Sequence, residues 1–203
     1  VGIAPAQDGP AGLGEWTQVP RLWPVPTAGG GTTYDSARDE MLTFGGCCFQ
    51  GDTWLWKEGE WRNASPALAP GARAGNVSAY DPIRRQVVMF GGTNTAETWT
   101  WDGTGWMIHH QPGGPQLRND AVIAWMPRLG KVVMFGGYPD VDPNEIGSQL
   151  NDTWAWDGST WQQIVTATSP PDRYGAGLAL DPATGDLVLF GGLSNEYHSM
   201  ADT

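Results

Sequence analysis

Cys47 and Cys48 stand side by side directly behind Gly46, and they are the only cysteines of the chain. Two thiols are too few for a zinc site. In an oxidising compartment their one intrachain option is a strained disulfide with each other, a rigid apolar platform at the base of a loop. In a reducing compartment they remain two half-buried thiols. Both readings stand. Arg73, Arg118 and Arg173 open the short runs RAGN, RNDA and RYGA. Their guanidinium forks suit carboxylates; the other reading has each one bonding carbonyls of a neighbouring structural unit. Asp140, Asp142, Asn144 and Glu145 alternate oxygen ligands as a calcium loop begins. Pro143 interrupts them and Gly147 comes too late for an EF-hand, which leaves a solvated acidic loop as the simpler reading. Phe49, Tyr138 and Tyr197 offer rings that could stack on sugars or pack locally. No nucleophile elbow, serine–histidine–acid order or phosphate-binding glycine loop occurs.

These residues must be positioned by elements, and the elements recur. Phe-Gly-Gly stands at 44, 90, 135 and 190, in steps of 46, 45 and 55. Periods of this size mark propeller blades. Tyr34, Tyr80, Trp125 and Leu180 each precede the next triplet Phe by 10 residues, and Trp54, Trp99 and Trp154 precede Trp61, Trp106 and Trp161 by 7. Only the link from the triplet to the first tryptophan varies: Cys47–Gly51, Thr93–Ala96, Tyr138–Asn151 and Leu193–Ala201. Each unit reads as four strands, for example NVSAYD, QVVMF, ETWTW and GWMIH, joined by tight turns at Pro82 and Pro182 and by Asp-Gly hairpins at 102–103 and 157–158. Alternation places Trp54 with Trp56, Trp99 with Trp101, and Trp154 with Trp156 on one face of a strand, to pack between blades. The glycine pairs end a buried strand where backbones crowd.

Composition agrees. Twelve Trp, 29 Gly and 16 Pro in 203 residues argue for an all-β chain of short strands. The net charge of −11 repels phosphate backbones, so nucleic acid is not an expected partner. No apolar run reaches the roughly 18 residues of a membrane span, so no insertion is expected. Residues 1–15 read as a flexible leader behind a removed signal or a cloning boundary, which points to a secreted or cell-surface location.

With its Gly-Gly doublets, the aromatic-Asp pairs Tyr34-Asp35 and Tyr80-Asp81, and a second tryptophan seven residues after the first, the chain resembles the kelch family. Trp125-Met126 and Leu180-Asp181 depart from the aromatic-Asp pair. A sialidase-type propeller fits less well, because it wants an Asp-x-Gly turn where this chain has Asp-Gly. The resemblance implies an all-β, kelch-type β-propeller segment over 16–203, with blades at about 28–64, 72–110, 117–165 and an incomplete 172–203. That is three full four-stranded blades plus parts of a fourth.

In such a blade the fixed-length turns share one end and all the length variation lies at the other. Variable loops on a rigid scaffold are where binding resides, and kelch propellers commonly bind partners there. The expected function is therefore an extracellular binding module for a protein or glycan, without cofactor or catalysis. The ligand-binding candidates are Arg73, Arg118, Arg173, Phe49, Tyr138 and Tyr197, beside a disulfide between Cys47 and Cys48. The alternative is the propeller of a secreted galactose oxidase-like copper-radical oxidase, which needs a Tyr cross-linked to Cys, a second Tyr and two His. Cys47, Tyr197, His198, His109 and His110 supply the types, but His109 and His110 are adjacent on an outer strand, where alternation sends them apart. Trp16 matches the fourth-strand tryptophans and lies 18 residues before Tyr34, against 19 in each later link. It is expected to belong to the outer strand of another blade, so further blades or self-association are expected to cover the ends.

Overall fold

The computed structural model describes residues 3–6, 15–18, 28–46, 51–139, 149–194 and 199. Among them every regular element is a β-strand. Unit 1 comprises β3 (Gly31–Asp35), β4 (Glu40–Phe44), β5 (Thr53–Lys57) and β6 (Glu60–Asn63). Unit 2 comprises β7 (Val77–Asp81), β8 (Gln86–Phe90), β9 (Thr98–Trp101) and β10 (Trp106–His109). Unit 3 comprises β11 (Val122–Met126), β12 (Lys131–Phe135), β13 (Thr153–Trp156) and β14 (Trp161–Ile164). Unit 4 contributes β15 (Gly177–Asp181) and β16 (Asp186–Phe190). Each of the first three units is a four-stranded antiparallel meander in chain order, and β15 pairs with β16. The first strand of each unit lies against the first strand of the next, β3 on β7, β7 on β11 and β11 on β15. The sheets therefore stand around a common axis, in a partial propeller-like arrangement.

The short turns explain the tight strand pairing. Asp35 Oδ1 accepts the backbone N–H groups of Ala37 and Arg38, and Asp81 Oδ1 those of Ile83 and Arg84. Such Asx turns pre-form the reversal between strands. Both aspartates are buried, and each carboxylate also holds the arginine three residues on, at 2.6 and 2.7 Å. Those arginines reach into the next unit. Arg38 donates to the carbonyls of Arg85 and Asp102, and a Cβ on Gly103 would overlap its guanidinium. Arg84 stands against Gly158 in the same way. The Asp-Gly pair thus serves the approach of a neighbour as well as the hairpin.

Tryptophans bolt one unit to the next. Trp106 lies edge-on to Phe44, with centroids 5.5 Å apart, and donates its indole N–H to Thr53 Oγ1 at 2.8 Å. Trp161 repeats this on Phe90 and Thr98, at 5.6 and 2.8 Å. Around these bolts, Leu42, Phe44 and Leu55 of unit 1 close on Val87, Met89, Trp99 and Trp101 of unit 2. Val88 and Phe90 close on Val132, Met134 and Trp156 of unit 3. Burying an aromatic of this size contributes several kcal/mol, and the indole bond makes the junction directional. The outward faces of the arc differ: Tyr34 of unit 1 is 52% exposed and Phe190 of unit 4 is 57% exposed.

Near the start of the chain, β1 (Ile3–Ala6) pairs antiparallel with β2 (Glu15–Gln18), with Pro5 opposite Trp16. A chain that doubles back in this way gives its backbone donors and acceptors partners in each other.

Candidate functional site

At the end of the sheets where the link length varies, the segments before the inner strands form a belt of backbone hydrogen bonds. Gly75 N donates to Gly29 O at 2.7 Å, Asp120 N to Gly75 O at 2.9 Å, and Gly175 N to Asp120 O at 2.9 Å. Gly29, Gly75 and Gly175 have φ of 72°, 70° and 64°, and Asp120, in the same register, has 48°. A left-handed conformation costs nothing at glycine and strains other residues, aspartate less than most. Three units thus use the residue that suits the belt, and the third unit places a carboxylate there. A left-handed non-glycine residue in a cleft is a pointer to function.

A second link ties the belt to the strand ends. Gly46 N donates to Arg73 O, Gly92 N to Arg118 O, and Gly137 N to Arg173 O, at 2.8, 3.2 and 2.9 Å. A Cβ on Gly91 or Gly136 would meet the Arg118 or Arg173 carbonyl oxygen at 2.5 Å, so the Gly-Gly doublet is what lets consecutive units meet backbone to backbone.

The three candidate arginines are turned inward. Arg73, Arg118 and Arg173 are all buried. Arg118 donates to Gly136 O at 3.0 Å and grips both oxygens of Asp152 at 2.6 and 2.9 Å. Arg73 reaches Gly91 O and Glu97, and Arg173 reaches Gly191 O. Arg73 and Arg118 do hold carboxylates, but those of their own unit. The carbonyls of Gly91, Gly136 and Gly191 that they reach belong to the same unit as each arginine, and the backbone carbonyls of Arg73, Arg118 and Arg173 serve the unit before. The reason is desolvation: a buried guanidinium needs its donors satisfied within reach, and the strand-two carbonyl together with the acid before the first tryptophan supplies that. Burial pushes the Asp152 carboxyl up, but Arg118 and the Trp154 indole outweigh it and hold it below the usual carboxylate range.

What remains open at the mouth is a cavity of about 290 Å3, walled by the belt glycines with Asn119, Asp120, Thr93 and Tyr138. Tyr138 is backbone-paired with Asn119 and lies edge-on to Tyr174, centroids 5.0 Å apart. Asn119 is 4% exposed, and its side-chain oxygen takes no hydrogen bond. Burial raises the Asp120 carboxyl above its ordinary range, with no opposing charge to lower it. One carboxylate, one amide and a tyrosine wall can bind a polar ligand and accept hydrogen bonds from it. Of the aromatic candidates, Tyr138 is in this wall. Phe49 and Tyr197 lie outside the described residues, as do Cys47, Cys48, His198 and the loop from Asp140 to Glu145. Asp120, Asn119 and Tyr174 were missed from the sequence. The signal was present, because Asp120 is the one non-glycine in a column with Gly29, Gly75 and Gly175.

His109 is not at the mouth. Its ring lies edge-on to Trp156, centroids 5.0 Å apart, and shares a hydrogen bond with Thr100, and burial, then the charge of His110, lowers its pKa. Among the described residues no three His, Cys, Asp or Glu side chains gather as a metal site would need.

No family profile and no curated protein sequence matches the chain. Among solved structures it is similar to the one described as "Structure of YjhT", with a TM-score of 0.65 at 16% identity. The match covers 92% of this chain and 68% of that one. The likeness is one of fold.

Proposed function

We propose that the chain is a kelch-type, extracellular binding module that holds a protein or glycan ligand at its variable-loop face. The observation carrying this reading is the mouth cavity, where Asp120, Asn119 and Tyr138 converge beside links of unequal length. A concave site with a few convergent polar groups and a perturbed carboxyl is the usual signature of ligand binding. The arginines belong to the scaffold in this reading, and the tyrosine wall supplies the contact. The acidic surface argues against nucleic acid as the ligand. To test it, an immobilised glycan panel and a displayed peptide library are probed with the wild-type chain and with Tyr138→Ala, after circular dichroism has shown both folded. The expected result is at least one ligand whose capture falls about tenfold in the variant, the loss of a stacking contact. A ligand held equally by both moves the site away from the mouth, and silence in both panels overturns the module reading.

A further inference from the structure

We propose that the mouth cavity takes an amino sugar, and that the Asp120 carboxylate receives its protonated amine. The inference rests on the binding reading above and names the ligand class for the same site. Three observations lead to it. Asp120 occupies a left-handed belt position that the other three described units give to glycine, so the scaffold does not require its side chain. Among the described residues no cation or hydrogen-bond donor meets that carboxylate, although it lines a cavity and is partly desolvated. Glu97 and Asp152, the acids before the first tryptophans of units 2 and 3, already have their arginines. A desolvated carboxylate left without a partner is costly, and a ligand cation with hydrogen-bond donors is what relieves it.

The neighbouring groups say what kind of cation. Asn119 lines the cavity, and its buried amide oxygen has no donor within the protein. Tyr138 lines the same space, and aromatic faces attract both cations and the C–H faces of sugars. The cavity, about 290 Å3, has room for a sugar ring and little more. The chain's charge of −11 raises the local concentration of any cationic ligand. A single ammonium among neutral hydroxyl-type partners is the pattern of a glucosamine-like ring.

The experiment is isothermal titration of the 203-residue chain with the glucosamine tetramer and with its N-acetylated counterpart, in which the amine is capped and uncharged. Asp120→Asn, Asp120→Gly and Tyr138→Ala are titrated alongside. The free-amine tetramer is expected to bind at least about tenfold more tightly than the capped one, the gain of a charge-assisted contact. Asp120→Asn and Asp120→Gly should erase that difference while melting no lower than wild type. Equal binding of both tetramers, unchanged in Asp120→Asn but weakened by Tyr138→Ala, overturns the ammonium assignment and leaves the module reading intact. If Nα-acetyl-lysine methylamide binds as tightly as the glucosamine tetramer, the amine belongs to a protein side chain and the sugar assignment fails. No binding of any probe also overturns the proposal, while the panel experiment above decides the module reading by itself.

Discussion

Asp120 concentrates the residue-scale argument, because it is held where the backbone belt would rather have glycine. A left-handed L-residue costs roughly 1–2 kcal/mol, and aspartate less than most, so Asp120→Gly should stabilise the fold by up to about 1 kcal/mol. The charge adds a pH dependence. With the folded pKa raised, the protonated form is favoured in the fold, and the stability this gives is lost as pH rises through that value. Asp120→Asn should therefore melt above wild type at pH 7, and the gap should close as pH falls toward about 4. Thermal melts of both proteins across that range decide it; a variant that melts lower at pH 7 would show that the carboxylate has a stabilising partner. At the adjacent thiols the expected outcome is a Cys47–Cys48 disulfide in natively exported protein. Intact mass before and after reduction and alkylation reads it, and two alkylatable thiols without reduction would count against it.

Between elements, the acid before the first tryptophan and the arginine before the inner strand act as a clamp across units 2 and 3. Arg118 is 1% exposed, and removing it strands Asp152 near a strand end. Arg118→Met should cost about 3–5 kcal/mol, the penalty for breaking a buried pair from one side. The same clamp sets the response to acid. Asp152 is held below its usual pKa by Arg118, and Asp157 is held at about 2: burial raises it, but the N–H groups of Thr160 and Ser159 and their hydroxyls outweigh that. Stability from depressed carboxyls is complete above the unfolded value, near 4, and is lost as pH falls through the folded ones. The melting temperature should hold from pH 7 to about 5 and then drop steadily toward 2. Arg118→Met should start lower and show a shallower acid limb, because Asp152 no longer contributes. Melts of the two proteins at matched pH check both statements.

Across the whole molecule, stability follows the number of neighbours a sheet has. Unit 2 is covered on both faces, and β8 and β12 carry runs of buried Val, Met and Phe. Unit 4 presents Val188 at 40% and Phe190 at 57% exposure. Hydrogen exchange should be slowest in β8 and β12 and fastest in β15 and β16; uniform protection would mean that the units open together. The bolts should carry much of the coupling. Trp106→Ala removes the contact on Phe44 and the bond to Thr53, and should cost about 3–5 kcal/mol. An unchanged melting temperature would place the coupling elsewhere.

Within a unit, residue spacing is enough to specify the strands and their turns. The ten- and seven-residue spacings predict antiparallel neighbours joined by fixed turns, and strand pairs such as Val77 with Phe90 and Trp101 with Trp106 follow them. Such pairing is local: alternation and turn chemistry set the register of strands close together in the chain. The tryptophans could also be read as inter-blade residues, since nothing within one sheet buries an indole that faces outward. Only the tertiary structure decided where the arginines turn, why Gly103 and Gly158 must be glycine, and what the mouth contains. Arg38 meets Gly103 across 65 residues, and the belt joins Gly29 to Gly75 and Asp120 to Gly175. Those approaches depend on how one sheet sits against the next, which no spacing within a repeat encodes. Asp120 shows the limit most clearly. In the chain it is one acid among 22, and it becomes a candidate ligand group only when the radial packing of four units places it in a column of glycines at the rim of a cavity.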